Sequence, residues 1–275
     1  MTTNLQSTAS TDIARPRLAL IRALWLTWRA AWSEAWSNQR GFWTQVGLMF
    51  VNNLIFLVFW TVFFREVDSL RGWDVGRILV LLSVLTSVAG VVIGLLHNLR
   101  RIGDMAADGE LDAALSLPVP TLLHLVLRRV EPVNVGDLVF GIILFSVFGS
   151  PTPTRVAVFV FGVLCGASVL AGFFVIIGSL GFFIGRGDST DLGLQAIMLF
   201  SHYPIDIFPG LIRLFLYVVI PAGFVSALPA TLIGDFQLAW AGLALLSAVG
   251  FLTLGSWVFR RGLARYTSGS AWTSG

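Results

Sequence analysis

The side chains able to do chemistry in this chain are few and scattered. Its three histidines, His97, His124 and His202, lack H-E-x-x-H spacing and have no cluster of carboxylates beside them, so the pattern offers no metal site. His202 with Asp206 is the nearest approach to an acid–base pair, too sparse for an enzyme acting on lipid. Asp137, Asp188, Asp191 and Arg213 fall in or at the ends of apolar runs, where ionisable groups ordinarily mark ion paths or proton relays. Deeper in those runs the polar residues are Gln45, Asn52, Asn53 and scattered Ser and Thr, none of which titrates near neutrality. This disfavours a proton-driven or sodium-driven transporter.

What is missing is as informative. All 18 basic residues are arginine. Without lysine the chain cannot form a G-x-x-x-x-G-K-[ST] phosphate loop or a Schiff base. Its single cysteine, Cys165, lies in the apolar run Phe161-Gly-Val-Leu-Cys-Gly and reads as a small buried hydrophobe, with no intrachain disulfide and no cysteine metal cluster. The expectation is a conduit, not a catalyst: no catalytic residue, no metal and no cofactor in this chain.

The elements that must position these groups are membrane spans. The 275 residues are 56% hydrophobic and only 12% charged, with a mean hydropathy of +0.83, a composition that water does not solvate. A crossing needs about 20 apolar residues for a core of about 30 Å. Residues 42–64, 78–96, 133–149, 156–184 and 238–259 meet or approach that test. The apolar stretch 192–233 is cut by Pro204, Pro209, Pro221 and Pro229. Either 192–207 crosses and 210–233 folds back as a re-entrant hairpin, or 192–208 lies along the inner face and 211–228 crosses. Proline-broken backbone at membrane depth must in both cases lie against other protein or a watery cavity.

Arginine sets orientation, because short cytoplasmic loops retain positive charge. With the N-terminus inside, 13 arginines lie inside and 5 outside, and Glu66, Asp68 and Asp74 offset the first outer loop. Both termini are therefore expected in the cytoplasm, with residues 1–17 a disordered polar tail and 266–275 a second tail. A net charge of +3 scattered along the chain gives no nucleic-acid partner.

Residues 18–39 read as an interfacial helix: Trp25, Trp28, Trp32 and Trp36 recur every three or four residues on one face with Ile21, a stripe suited to membrane lipid at headgroup level. In the fourth span, Gly162-x-x-x-Gly166 and Gly181-x-x-x-Gly185 have the spacing of close helix contacts. The inner loop 97–131 contains Asp108-Gly-Glu-Leu-Asp-Ala-Ala-Leu-Ser-Leu before Pro118. Asp108 or Gly109 is a candidate cap of a short helix there, Glu110 and Asp112 suit its positive end, and Pro118 stops it. Leu111, Leu115 and Leu117 would then present a small apolar surface. Such a helix can serve as a docking knob, but on these residues alone a plain loop helix, which needs no partner, is the favoured reading.

At this loop the sequence resembles the permease subunits of type-2 ABC transporters, in the branch where two different six-helix permeases accompany one kind of ATP-binding subunit. Residues Gly109 to Pro120, GELDAALSLPVP, resemble that branch's G-x-L-D-x-x-L-x-x-P-x-x-P loop. Tyr203-Pro, Leu211-Ile-Arg213, Ile220-Pro-Ala-Gly-Phe224 and Leu228-Pro229 resemble its Tyr-Pro, Leu-Arg, Ile-Pro and Phe pattern ahead of the last helix. The likeness extends over residues 18–265. The loop carries Glu110 and Asp112 but no basic neighbour, a departure from the family pattern.

The resemblance implies a single all-α transmembrane domain over 18–265, with about six spans in a bacterial cytoplasmic membrane, and it favours the re-entrant arrangement. It makes 18–39 a connecting helix and makes Gly109, Glu110, Leu111, Asp112, Leu115, Leu117 and Pro118 a coupling helix seated on a cytoplasmic ATPase. Residues 210–233, with Arg213, Pro221, Phe224 and Pro229, become the outer re-entrant segment. The implied partners are two copies of an ATP-binding subunit, which hold the ATP and Mg, and a second permease, either a different six-helix chain or a copy of this one. The implied function is ATP-driven export of a lipid, glycan or amphipathic drug-like molecule. The competing expectation is an energy-independent channel or secondary transporter, which needs polar groups along a pore that this sequence scarcely has.

Overall fold

A computed structural model describes residues 16–184 and 189–266. These residues form α1 (Pro16–Ser37), α2 (Gln39–Glu66) and α3 (Val75–Ala89), which continues as a π turn at Gly90–Leu95 and a 3-10 turn at His97–Arg101. Four short or medium elements follow: α4 (Ile102–Ala107), α5 (Leu111–Leu115), α6 (Thr121–Leu127) and α7 (Pro132–Phe148). The rest is α8 (Pro153–Ser179), α9 (Gly181–Ile184), α10 (Ser189–Ser201), α11 (Gly210–Val218), α12 (Leu228–Gly234) and α13 (Leu238–Leu263). An isolated bridge between Leu70 and Trp73 is the sole extended pairing among the described residues. The expected all-α membrane fold is the one the chain adopts.

Helix starts follow the capping rules. Asp74 accepts the Arg77 amide at 2.8 Å to open α3, Asn38 accepts that of Gly41 at 3.0 Å to open α2, and Thr152 ahead of Pro153 opens α8. Four helices are long and apolar enough to cross a membrane: Gln39–Glu66, Val75–Leu95, Pro153–Phe183 and Leu238–Leu263. Two bent pairs bring the number to as many as six: α6 with α7, at 83°, and α11 with Gly223–Gly234, at 76°.

The core is organised around α3. Ile78, Leu81, Leu82, Val84, Leu85 and Val88 are buried on every side of it, whereas α2 and α13 leave long apolar faces outward. A helix buried all round must satisfy its own polar groups, and Ser83, Thr86 and Ser87 do so by donating to backbone carbonyls three or four residues back. Small residues set the close seams. A Cβ at Gly141 of α7 would stand 2.6 Å from the Ser83 carbonyl, and one at Gly172 of α8 would run into the Phe251 backbone of α13.

The proline-cut stretch resolves into three pieces. α10 has 13 residues, about 20 Å at 1.5 Å per residue, less than the hydrocarbon thickness. It ends at Ser201 instead of reaching residue 207, because Pro204 lacks an amide and pushes Tyr203 out of helical backbone. Asp191 near its start is paired with Arg100, Nη2 to Oδ1 3.1 Å, beside the 97–131 loop. Past its end, Asp206 accepts the Trp73 indole N–H at 3.2 Å in the turn between α2 and α3. The stretch 189–206 therefore runs from the loop end of the bundle to the opposite end, and α11 and α12 lie at that opposite end. The chain breaks between α11 and α12 around the buried Pro221, and Ser226 donates to the Ser201 carbonyl at 2.7 Å. α12 then seats against α8: Cβ atoms at Gly162 and Gly166 would stand 2.9 Å from Pro229 Cβ and 2.6 Å from the Val225 carbonyl. That is the close contact the Gly162 and Gly166 spacing calls for. Gly185, the end of the second glycine pair, lies outside the described residues, as do Arg15, Arg186 and Asp188.

Candidate functional site

The loop 97–131 forms a folded cap on one end of the bundle. α4 buries Ile102 and Met105, α5 buries Leu111 and Ala114, and α6 buries Leu125 and Val126. Asn98 donates to the Leu125 carbonyl at 2.8 Å, and the Glu131 amide donates to the Gly94 carbonyl at 2.8 Å, so both ends of the loop are fastened to the end of α3. Gly103 sits against α8: a Cβ there would stand 3.1 Å from the Gly178 carbonyl. At Gly181, the first residue of α9, a Cβ would stand 3.1 Å from the Gly103 Cα.

Within this cap, Asp108 and Gly109 close α4 and do not open α5, contrary to the sequence expectation. Gly109 has φ +76°, and the Glu110 amide donates to the Met105 carbonyl at 3.0 Å. That is the six-to-one hydrogen bond of a glycine-terminated helix, and glycine adopts the required left-handed backbone without strain. α5 begins immediately after, with the Asp112 amide on the Gly109 carbonyl at 3.2 Å.

Leu111 also departs from expectation. It is fully buried and so belongs to the anchor of the loop instead of its outer surface. One turn of helix has a single inward side, and Leu111 and Ala114, three residues apart, occupy it. Leu115 and Leu117 point outward, 43% and 42% exposed, with Pro118 also exposed. The preceding residues of the cap carry the exposed carboxylates Asp104, Asp108, Glu110 and Asp112. Glu110 lies 3.7 Å from Arg101, an exposed pair of small energetic weight.

The tryptophan helix is coupled to this cap. Thr27 Oγ1 and His124 Nδ1 are 3.4 Å apart, bringing α1 against α6. The stripe splits: Trp28 and Trp32 are half-buried, and Trp25 and Trp36 are exposed. Trp28 meets Trp25 and Trp32 at ring separations of 5.4 and 5.9 Å, and Trp36 meets Phe42 at 5.0 Å. Burial lowers the His124 pKa, and neighbouring Arg128 adds to the effect.

At the opposite end Arg213 clamps the re-entrant segment. Its guanidinium donates to the Asp206 carbonyl at 2.9 Å and the Phe208 carbonyl at 3.2 Å, and lies 3.7 Å from the Asp206 carboxylate. Phe224 packs on Tyr217 at 5.0 Å, closing the bend at Pro221, and Pro229 sits under α8. The coupling-loop residues and the re-entrant residues are thus at opposite ends, and the structure does not bring them together.

Sequence reasoning left the anchors unmarked. Ile102, Met105 and Ala114 read as ordinary apolar residues, and the signal that could have found them is the three-residue spacing of Ile102 with Met105 before Gly109 and of Leu111 with Ala114 after it. It also left unmarked the bond from Asn53 Nδ2 to Asp137 Oδ1, 2.6 Å across α2 and α7, because 84 residues separate the two. Among the described residues no group of His, Cys, Asp and Glu has the arrangement of a metal site.

Residues 50–270 match a family described as ABC-2 family transporter protein. No curated protein and no solved structure matches the chain. The matched region takes in five of the helices or bent pairs able to cross a membrane and most of the first, the loop cap and the re-entrant segment. The chain belongs to the ABC-2 transporter family, as a multi-pass membrane permease of an ABC transporter.

Proposed function

We propose that this permease belongs to an exporter of a lipid, glycan or amphipathic drug-like molecule, and that the 109–118 segment is where the ATPase seats. The observation that carries the reading is the division of labour within α5 and its flanks. Leu111 and Ala114 are fixed in the core, while Leu115, Leu117 and Pro118 stand out from it in a segment that also carries exposed carboxylates. A projecting apolar tip on a rigid mount can transmit force, whereas a flexible loop dissipates it. Closure of two ATP-binding subunits moves the cap, and the contact of Gly103 with α8 carries that motion into the spans as a rigid-body shift.

On this reading ATP and Mg reside in the partner and this chain hydrolyses nothing, in keeping with its lack of lysine. The arginine bias favours the cytoplasmic side for the cap and both termini, in keeping with the bacterial membrane that the family resemblance implies. The outward apolar face of α2, with Leu48, Ile55 and Val62, supplies surface for a second permease, in a pair of different six-helix chains.

The test is recovery of the ATPase with the tagged permease. Leu115→Asp with Leu117→Asp is expected to lower ATPase recovery at least tenfold while the protein remains in the membrane. Undiminished recovery together with undiminished transport removes these residues from the docking surface.

A further inference from the structure

A cavity of about 260 Å³ lies within the bundle between α2, α3, α7 and α10. Its polar wall holds Asn52, Asn53, Thr86, Asn134 and Asp137, with Arg100 at the end nearer the loop. Its remaining wall is apolar, formed by Met49, Phe56, Leu85 and Met198 among others. His202 lines it too, but that ring is already committed: it stacks on Phe56 at 4.3 Å and Nδ1 lies 2.6 Å from the Met198 carbonyl.

Asp137 is the group that defines this cavity. It is 1% exposed, and its two oxygens accept from Asn53 at 2.6 Å and from Asn134 at 3.0 Å. Both donors are neutral amides, so they orient the carboxylate without balancing its charge. The cationic side chain on the same wall, Arg100, is bridged to Asp191 at 3.1 Å. No cation is paired with Asp137 among the described residues. Each carboxylate oxygen has the capacity to accept a second hydrogen bond. A buried, uncompensated carboxylate is costly, and inside a membrane such groups accompany function. A single negative charge among neutral polar groups, with apolar side chains lining the same space, is complementary to a molecule with an N–H-bearing cationic head and an apolar body.

We propose that this cavity binds the ammonium head of an amphipathic amine, with Asp137 accepting its N–H groups and the wall of Met49, Phe56 and Met198 holding the apolar part. The proposal adds a substrate class to the exporter reading and rests on it for the step after binding, but the binding itself needs no ATPase. The head could belong to a free alkylamine or to an amine-bearing lipid such as phosphatidylethanolamine.

The experiment is equilibrium binding to the full chain in phosphatidylcholine nanodiscs, using three dansyl-labelled probes of equal chain length that end in an amine, an alcohol or a carboxylate. The amine is expected to bind at least tenfold more tightly than either analogue. Asp137→Asn is expected to remove that preference while leaving alcohol binding within about twofold, which a merely structural role would not do. Met49→Trp, which narrows the cavity without touching the carboxylate, is expected to weaken amine binding and carries the test if Asp137→Asn does not fold. Competition when phosphatidylethanolamine replaces phosphatidylcholine identifies the head as a lipid's, and lack of competition identifies it as a free amine's. Equal binding of the three probes, an amine preference that survives in Asp137→Asn, or amine binding undiminished in Met49→Trp overturns the proposal. Loss of ATPase docking with amine binding intact would overturn the exporter reading's coupling without touching this site.

Discussion

Gly103 of α4 and Gly178 of α8 meet backbone to backbone: a Cβ at Gly103 would stand 3.1 Å from the Gly178 carbonyl, and one at Gly178 would stand 3.1 Å from Ile102 Cβ. The loop cap thus bears on the end of the fourth span through the Gly103 backbone, with the Ile102 side chain packed beside it. Motion applied to the cap has no soft element in which to be absorbed at this point.

Gly103→Val tests that contact. The added methyls must push α4 off α8, an overpacking that costs about 1–3 kcal/mol. A lowered melting temperature of the purified protein and weaker stimulation of the partner ATPase by transported substrate are the expected readings. A Gly103→Val protein as stable and as well coupled as the parent would mean that the two backbones are free to separate.

Two leucines four residues apart are expected to behave oppositely. Leu111 is fully buried, and its truncation to alanine is expected to destabilise the protein by about 2–5 kcal/mol. Leu115 is 43% exposed, and the same truncation is expected to change stability by no more than about 0.5 kcal/mol while weakening ATPase recovery. Thermal melts alongside co-purification separate the two, and equal losses of stability would show that α5 faces the other way.

His97 gives the cap a pH dependence. Burial holds its pKa below 6.5, Glu131 at 3.8 Å opposes that, Arg129 lowers it further, the Ile93 carbonyl raises it, and Arg100 lowers it. The unfolded chain therefore takes up a proton at higher pH than the folded one does. Stability contributed by this group is complete above about pH 6.5 and falls as pH drops toward the folded value. Melting temperature is expected to decline between pH 7.5 and 5.5, with a shallower decline in His97→Asn. Parallel pH profiles for the two proteins would mean that His97 is not held neutral.

The class of the fold was legible because hydropathy and arginine bias act over whole segments, and no local detail reverses a run such as 78–96. The prolines likewise marked the broken stretch, since a missing amide interrupts a helix wherever it sits. Orientation within a short helix was not legible. The row Leu111, Leu115, Leu117 looks like one apolar surface until α5 packs on α6, and only then does Leu111 fall inward. The same holds for Asp137, whose partner Asn53 is on another helix and whose cavity has walls from four. Sequence spacing conveys which groups share a helical face, and contacts between distant helices arise only on packing.

The π turn at Gly90–Leu95 holds one residue more than an α-helical turn would, directly between the buried part of α3 and the cap. One residue corresponds to about 100° of rotation about the helix axis. The direction in which the chain leaves α3 toward the cap therefore depends on a count of backbone units as well as on the side chains that anchor the loop. Winding that surplus residue in or out of the turn would swing the whole cap around the axis of α3 like a key in a lock, leaving the far half of the bundle where it stands.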